Sequence, residues 1–119
     1  MVFTIESARL VMESRGPAPQ LRSAPHNESW SKLYRSDSHM IDMSCKEEAG
    51  KLFLQGQVLL LDGSDVGQAG HIALSGNAVD DTAFNSQGEF SLTVEQQGDY
   101  ELEASFGDTI IHISELILD

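Results

Sequence analysis

The sequence predicts an all-β fold, an antiparallel sandwich of seven to eight short strands with an irregular N-terminal arm. In most apolar runs, hydrophobic and polar residues alternate with a period of two, which places one set inward and the other in water. Turn signals separate these runs. No helix-length periodic segment follows residue 46, so the pattern is that of an antiparallel sandwich of the immunoglobulin-like kind.

The alternation is clearest in residues 85–106, which predict a turn, a strand, a corner and a second strand. The side chains expected to face inward are Phe90, Leu92, Val94, Tyr100, Leu102, Ala104 and Phe106. Gly88 and Gly98 come just before the two strands, where a turn requires a positive φ angle. The spacing of Gly98 and Tyr100 is that of a tyrosine corner, in which the phenol bonds back to nearby backbone. We therefore predict structural roles for Gly88, Phe90, Gly98 and Tyr100.

The segments that precede this hairpin also favour strands. Residues 2–13 predict an edge strand because β-branched residues are frequent, although a short amphipathic helix is also compatible with the run. Residues 38–46 predict a strand whose inward face carries His39, Ile41, Met43 and Cys45. Residues 51–61 form the longest apolar run, and Gly56 within it predicts a bulge or a close backbone approach.

The remaining strands lie on either side of the hairpin. Residues 70–75 predict a strand with Ile72 and Leu74 in phase, and residues 76–81 predict a loop. Residues 109–118 are rich in β-branched side chains and predict the closing strand. The inward phase changes along this last run, so we expect a bulge or bend near Ser114.

An irregular arm is predicted for residues 14–32, which contain all three prolines and mostly small or polar side chains. A loop of this length in a small domain is usually functional or disordered. The arm and its end supply the candidate partner-binding residues, which are Arg15, Leu21, Arg22, Trp30, Tyr34 and Arg35. For Trp30 and Tyr34 two interpretations stand, a plug at one end of the core and an aromatic anchor for a partner, and the first is favoured.

Composition limits the function. The formal net charge of -12 argues against direct contact with nucleic acid and with an anionic membrane surface, which both require clustered Lys and Arg. A single cysteine, Cys45, allows no intramolecular disulfide and is typical of a reducing compartment. The first residues are too polar for a signal peptide, and we expect a cytoplasmic protein.

The sequence contains no recognisable catalytic, cofactor-binding or metal-binding motif. Neither metal-binding spacings nor a Gly-x-Ser-x-Gly elbow nor a phosphate-binding glycine loop is present. His71 and His112 are expected to lie on strands, where histidines are more often solvated than ligands. Cys45 is expected to be a core thiol. We therefore predict a protein that is not an enzyme and that uses no cofactor or metal.

Several short motifs in the second half resemble the carboxypeptidase regulatory-like domain, a small transthyretin-like β-sandwich. They are Gly56-Gln-Val58, Gly70-His-Ile-Ala-Leu74, Thr82 followed by Gln87-Gly-Glu-Phe90, and Gly98-Asp-Tyr-Glu-Leu102. The family usually has a proline before that last glycine, where this chain has Gln97. The resemblance implies a sandwich domain over residues 47–119, preceded by a strand, the arm and another strand over residues 1–46. It implies no catalysis, because the zinc ligands of those enzymes lie in a separate domain.

The whole chain is also similar to small bacterial proteins encoded beside alternative sigma factors. The residues that carry this similarity are Ala8-Arg-Leu-Val-Met12, Leu21-Arg-Ser23, Leu33-Tyr-Arg35 and Met40-Ile-Asp-Met43. It implies a regulatory or accessory role, with a sigma factor or an associated regulator as the protein partner. The alternatives are a carbohydrate- or small-ligand-binding sandwich, as in related sandwiches that bind sugars, and an adaptor or substrate of a larger signalling or proteolytic system.

Overall fold

Ten β-strands form the protein in a computed structural model that describes residues 3–16 and 29–119. They are β1 (Thr4–Ser7), β2 (Arg9–Gly16), β3 (Ser29–Arg35), β4 (His39–Glu48), β5 (Lys51–Leu60), β6 (Gly70–Gly76), β7 (Val79–Phe84), β8 (Glu89–Val94), β9 (Gly98–Phe106) and β10 (Thr109–Leu118). The all-β prediction is confirmed. The predicted number of strands is too small, because β3 and β7 were assigned to loops and residues 2–13 to a single strand.

The strands form two five-stranded sheets that face each other. The first sheet has the order β1-β10-β9-β6-β7 and the second the order β2-β3-β4-β5-β8. All pairs are antiparallel except β1 with β10, which is parallel. The chain passes from one sheet to the other four times in the described residues: at Ala8 between β1 and β2, then between β5 and β6, between β7 and β8, and between β8 and β9. The edge strands β1 and β2 are consecutive in the chain but belong to different sheets, and the same is true of the edge strands β7 and β8.

The predicted division into residues 1–46 and 47–119 does not correspond to separate folding units. Residue 46 lies within β4, and β4 pairs with β5 along its whole length. The second sheet takes three strands from before this boundary and two from after it. The N-terminal part consequently contributes β1 to the first sheet and β2, β3 and most of β4 to the second.

The core follows the alternation that the sequence shows. On β4 the side chains of Ile41, Met43 and Cys45 are buried, and on β9 those of Leu102 and Ala104 are buried. Each large aliphatic side chain that is fully buried contributes about 1.5–3 kcal/mol to the hydrophobic stabilisation. Facing rows of this kind, one from each sheet, are what holds the two layers together.

Two glycines are required by close packing. At Gly56 the strand register continues without a bulge, so the close approach is the correct alternative. A β-carbon at Gly56 would overlap the ring of Phe90 and would lie 2.9 Å from both the Asp42 carbonyl oxygen and Met43 Cγ. At Gly88 the φ angle is 85°, and a β-carbon would overlap the Val58 carbonyl.

The tyrosine corner has the geometry that the spacing predicts. The hydroxyl of Tyr100 donates a hydrogen bond of 2.7 Å to the carbonyl oxygen of Gln96. Gly98, between them, has a φ angle of 142°, which a residue with a β-carbon rarely adopts. This bond fixes the path of the chain from β8 in the second sheet to β9 in the first.

Two strands contain a register shift. In β10 the shift lies between Ile113 and Leu116, which agrees with the bend expected near Ser114. In β2 it lies between Leu10 and Met12, so that Val11 is the additional residue. Residues 3–16 and 29–119 contain no helix long and apolar enough to cross a membrane.

Candidate functional site

A cleft opens between the two sheets where β2 and β3 face β10, and we call it the Lys32 cleft. Its volume is about 440 Å³. Its lining residues are Ala8, Arg9, Leu10, Glu13, Arg15, Lys32, Tyr34, Ser114, Glu115, Ile117 and Asp119. Six of these eleven residues are charged, and the aliphatic ones are Ala8, Leu10 and Ile117.

Lys32 is the unusual member of this lining because it is a charged side chain that is only 4% exposed. Its Nζ donates a hydrogen bond of 2.9 Å to the carbonyl oxygen of Ile117 and lies 4.3 Å from the centre of the Trp30 ring. No carboxylate of the residues that the structure describes lies within 4.0 Å of Nζ. An ammonium group has three donors, so two remain for another acceptor.

The rim of the Lys32 cleft carries an ion-pair network. The guanidinium of Arg15 lies 3.2 Å from a carboxylate oxygen of Glu13 and 3.1 Å from one of Asp119. Arg9, also on the cleft, forms no ion pair within the described parts of the chain. The charge of Arg15 is therefore compensated, whereas those of Arg9 and Lys32 are available to a ligand.

Tyr34 lines the same cleft. Burial, together with the negative charges of Glu13 and Glu115, raises the pKa of Tyr34 to about 12. The phenol is therefore neutral at physiological pH and can act as a hydrogen-bond donor or acceptor.

A second polar cluster lies at a different place between the sheets, where Glu6, Ser36 and His39 are buried and the backbone amide of the exposed Ser38 joins them. Oε1 of Glu6 accepts hydrogen bonds from Ser36 Oγ at 2.6 Å and from the Ser38 amide at 3.0 Å, and it lies 3.2 Å from His39 Nδ1. Burial opposes ionisation of Glu6, but the hydrogen bonds from Ser36, His39 and Ser38 outweigh it and hold its pKa below the usual value. The hydroxyl of Ser36 and the ring of His39 both bond to the carboxylate, so this is a structural link between sheets and not an arrangement that activates a serine.

A wider and more open groove crosses β4, β5 and β8 and reaches the end of β7. Its volume is about 940 Å³. Its polar lining includes Asp42, Gln55, Gln57, Asn85 and Glu89. Such side chains can exchange hydrogen bonds with hydroxyl groups, which is the chemistry that recognises a sugar.

The candidate partner-binding residues are dispersed. Arg15 lies on the rim of the Lys32 cleft, and Arg35 is exposed at the end of β3. Trp30 and Tyr34 are 3% and 2% exposed and belong to the core, because β3 is an inner strand of the second sheet. Neither is an exposed anchor, and the core interpretation is the one that their burial supports.

Leu21 and Arg22, the other two candidates, lie outside the described residues. Both ends of the predicted arm are strands in the structure. Residues 14–16 belong to β2 and residues 29–32 belong to β3.

The histidines on the strands do not form a metal site. His112 Nε2 lies 3.0 Å from Glu101 Oε1, and His71 Nε2 lies 3.8 Å from Asp81 Oδ2. His71 and His112 flank β9 on opposite sides and pair with different residues of it. In the residues for which coordinates are described, no three potential ligands come together.

Cys45 is a buried thiol. Burial, with a smaller effect of the Asp119 charge, raises the pKa of Cys45 to about 11. The thiolate that nucleophilic chemistry requires is thus disfavoured.

Exposed apolar side chains are concentrated at one side of the sandwich, on the segment that precedes and forms β1 and β2. Within residues 3–16 and 29–119 there are eight large hydrophobic side chains that are exposed. Five of them lie within residues 3–12, namely Phe3, Ile5, Leu10, Val11 and Met12. We call these five the β1–β2 surface. The edge position of this segment follows from its sequence, but its exposure does not, because alternation alone predicts one buried face.

Comparison of the chain with protein-family models, with curated proteins and with solved structures finds no match. What the protein binds must therefore be inferred from its own surface.

Proposed function

We propose that the protein is a non-enzymatic interaction module that binds an extended segment of a partner protein along β2. The supporting observation is the β1–β2 surface, which gathers five of the eight exposed large hydrophobic side chains into ten consecutive residues. Contiguous apolar patches on soluble proteins commonly mark protein-binding sites, whereas isolated exposed residues do not. Val79, which is 82% exposed on β7, is an example of the isolated kind.

The backbone of β2 supports this mode of binding. Among the described strands β2 has a neighbour on one side only, which is β3. Its other side offers backbone N–H and C=O groups that an extended peptide can pair with, while the exposed side chains provide selectivity. The bulge at Val11 interrupts the strand, so regular pairing is available over residues 12–16.

The partner class follows from the sequence resemblance. Similarity to proteins encoded beside alternative sigma factors makes a sigma factor or its regulator the first partner to test. The formal net charge of -12 favours a protein partner over nucleic acid in such a system.

Site-specific photo-crosslinking tests this function. Met12 is replaced by p-benzoylphenylalanine in the full chain expressed in its native cells, and a matched variant carries the same residue at Val79. We expect a defined crosslinked product from position 12 that is absent from position 79, and mass spectrometry then identifies the partner. Equal crosslinking from both positions, or none from position 12, would contradict the proposal.

The open groove supports a second candidate, a carbohydrate-binding function. Its polar lining suits hydroxyl groups, but stacking on a sugar requires exposed aromatic rings, and those of Trp30, Tyr34 and Tyr100 are buried. Thermal shifts with a panel of glycans test this candidate, with Gln57→Ala as the variant expected to remove any shift. A panel that leaves the melting temperature unchanged would reject it.

A further inference from the structure

Both register shifts of the described sandwich lie on the Lys32 cleft. The shift in β2 involves Leu10, and the shift in β10 spans Ser114 and Glu115, all of which line the cleft. Bulges redirect side chains and are over-represented beside functional sites. Here one bulge comes from each sheet, and the two face each other across the same opening.

Lys32 lies between these bulges at a cost in stability. A buried ammonium loses its hydration, and a single carbonyl oxygen with an aromatic face restores only part of it. The other inward residues of β3, Trp30 and Tyr34, are aromatic, so the packing of this strand does not itself require a charged side chain at position 32. A buried cation with donors to spare, at the base of a cleft, is what recognition of an anionic group requires.

The lining of the cleft carries three basic and three acidic side chains, and Lys32 is the buried one among them. Arg15, Glu13 and Asp119 compensate one another, apart from one excess negative charge at the rim. Lys32 and Arg9 lack such partners within the described residues, and Glu115 is the remaining carboxylate. The negative charges cluster around Tyr34 and the rim network, which leaves Lys32 as the local positive centre.

We propose that the Lys32 cleft is a binding site for a ligand that carries a carboxylate group on a short apolar body. The carboxylate accepts hydrogen bonds from Lys32 Nζ, and Arg9 attracts it at the mouth. Leu10, Ile117 and Ala8 contact the apolar body. A volume of about 440 Å³ lies within the range of small-molecule sites and fits a ligand of this kind. The site goes beyond the interaction along β2, because its ligand lies inside the cleft, and Leu10 is the residue that the two sites share.

The test is a titration followed by ¹H–¹⁵N NMR, with 4-methylpentanoate as the probe and ionic strength held constant. The matched probe is 4-methylpentan-1-ol, which has the same apolar body without the carboxylate. We expect the acid to shift the amide signals of Ser114 and Ile117 and the alcohol to bind about tenfold more weakly or not at all. Equal binding of acid and alcohol, or no shift with the acid, would overturn the proposal.

Two variant pairs locate the site. Lys32→Met keeps the apolar stem and is expected to weaken binding of the acid at least about tenfold, whereas Lys51→Met on β5 leaves it unchanged. Leu10→Asp places a negative charge at the mouth on an exposed side chain, so it preserves the fold and weakens binding, with Leu61→Asp as its control. Unchanged affinity in both Lys32→Met and Leu10→Asp would reject the site.

The carboxylate can come from a free metabolite or from an acidic side chain of a peptide, and a second titration distinguishes these sources. The probes are a terminally blocked peptide with one Asp among apolar residues and its Asn counterpart. Tighter binding of the Asp peptide than of 4-methylpentanoate, with loss on Lys32→Met, indicates a peptide source. Tighter binding of the free acid indicates a metabolite.

Discussion

The hydroxyl oxygen of Ser36 lies 2.6 Å from Oε1 of Glu6, and this contact joins the turn after β3 to β1 of the opposite sheet. The same carboxylate oxygen also receives the Ser38 amide, so one side chain from the first sheet holds the β3–β4 turn of the second. The ring of Phe106 packs in a T-shaped arrangement against the ring of His39, with 5.2 Å between the ring centres. The cluster therefore fixes the position of β1 relative to the second sheet.

Replacing this carboxylate tests the link. Glu6→Gln retains the shape of the side chain but removes its negative charge, which weakens the hydrogen bonds from Ser36 and Ser38. It also introduces an amide NH₂ group, which is a donor, where these groups need an acceptor. We expect a loss of about 1–3 kcal/mol in the free energy of unfolding, measured with urea. Glu103→Gln, on the exposed face of β9, is the control and should change stability by less than about 0.5 kcal/mol. Equal effects of the two substitutions would contradict the role of Glu6.

The same carboxylate predicts a dependence of stability on pH. Because the pKa of Glu6 is lower in the folded protein than its ordinary value of 4.5, the unfolded chain binds the proton first as the pH falls. Its stabilising contribution is complete above pH 4.5 and is lost as the pH falls through the folded pKa. The groups that face it are Ser36, Ser38 and His39, and a positive charge on His39 enhances the effect.

Urea unfolding at a series of pH values measures this contribution as the difference between wild type and Glu6→Gln. We expect the difference to be constant near neutral pH and to decrease below pH 4.5. A difference that stays constant down to strongly acidic pH would show that Glu6 does not titrate in this way.

The tyrosine corner gives a prediction with an internal control. Tyr100→Phe removes the hydrogen bond to the Gln96 carbonyl and should lower the free energy of unfolding by about 0.5–1.5 kcal/mol. Tyr34→Phe removes a hydroxyl that donates to no acceptor within the described residues, and it should have a smaller effect. Both are measured by chemical denaturation, and the reverse order would contradict the assignment.

The packing of Gly56 against Phe90 predicts a coupled pair of substitutions. Gly56→Ala places a methyl group into the Phe90 ring and should cost about 1–3 kcal/mol. In the presence of Phe90→Leu, a smaller side chain, the same change should cost less, although the Asp42 carbonyl still limits the space. A double-mutant cycle measures the coupling, and additive effects would show that the ring is not the obstacle.

The thermal stability of the protein without ligand provides a separate test of the role of Lys32. If the ammonium is retained for a ligand, its replacement by an apolar side chain of similar length should stabilise the empty protein. We expect Lys32→Met to raise the melting temperature by a few degrees, which corresponds to about 1 kcal/mol in a domain of this size. Differential scanning calorimetry makes the measurement, with Lys51→Met as the control. A clear decrease would instead indicate that the contacts with Ile117 and Trp30 are structural.

Alternation in the sequence was sufficient to predict β8 and β9, whose inward residues are all apolar, and β4, whose inward residues are apolar except for His39. It failed for β3 because the buried Lys32 interrupts the apolar phase between Trp30 and Tyr34, and because the strand directly follows a segment rich in proline. It failed for β7 because Asp80 and Asp81 resemble a turn. Sequence patterns count charged residues as solvated, and so they do not recognise a strand such as β3, which carries a charged side chain at an inward position.

The burial of Glu6 is also not predicted by sequence patterns, because it depends on the β3–β4 turn, which is distant in sequence. The candidate partner-binding residues were chosen by composition, and composition does not distinguish an aromatic side chain of the core from one of an interface. The packing of one sheet on the other determines whether Glu6 and these aromatic side chains are buried, and this packing is a property of the folded chain alone.

The parallel pairing of Thr4 with Thr109 determines when the fold can be completed during synthesis. All strands of the second sheet have been made once Val94 has left the ribosome, so that sheet can form early. The first sheet must wait for β10, which is both the partner of β1 and the only strand between β1 and β9. Until then β1 has no neighbour in its sheet, and the nascent chain exposes Ile5 together with the apolar face that β10 later covers. Closure of the first sheet, which requires this long-range pairing of β1 with β10, is thus expected to be the slow step of folding.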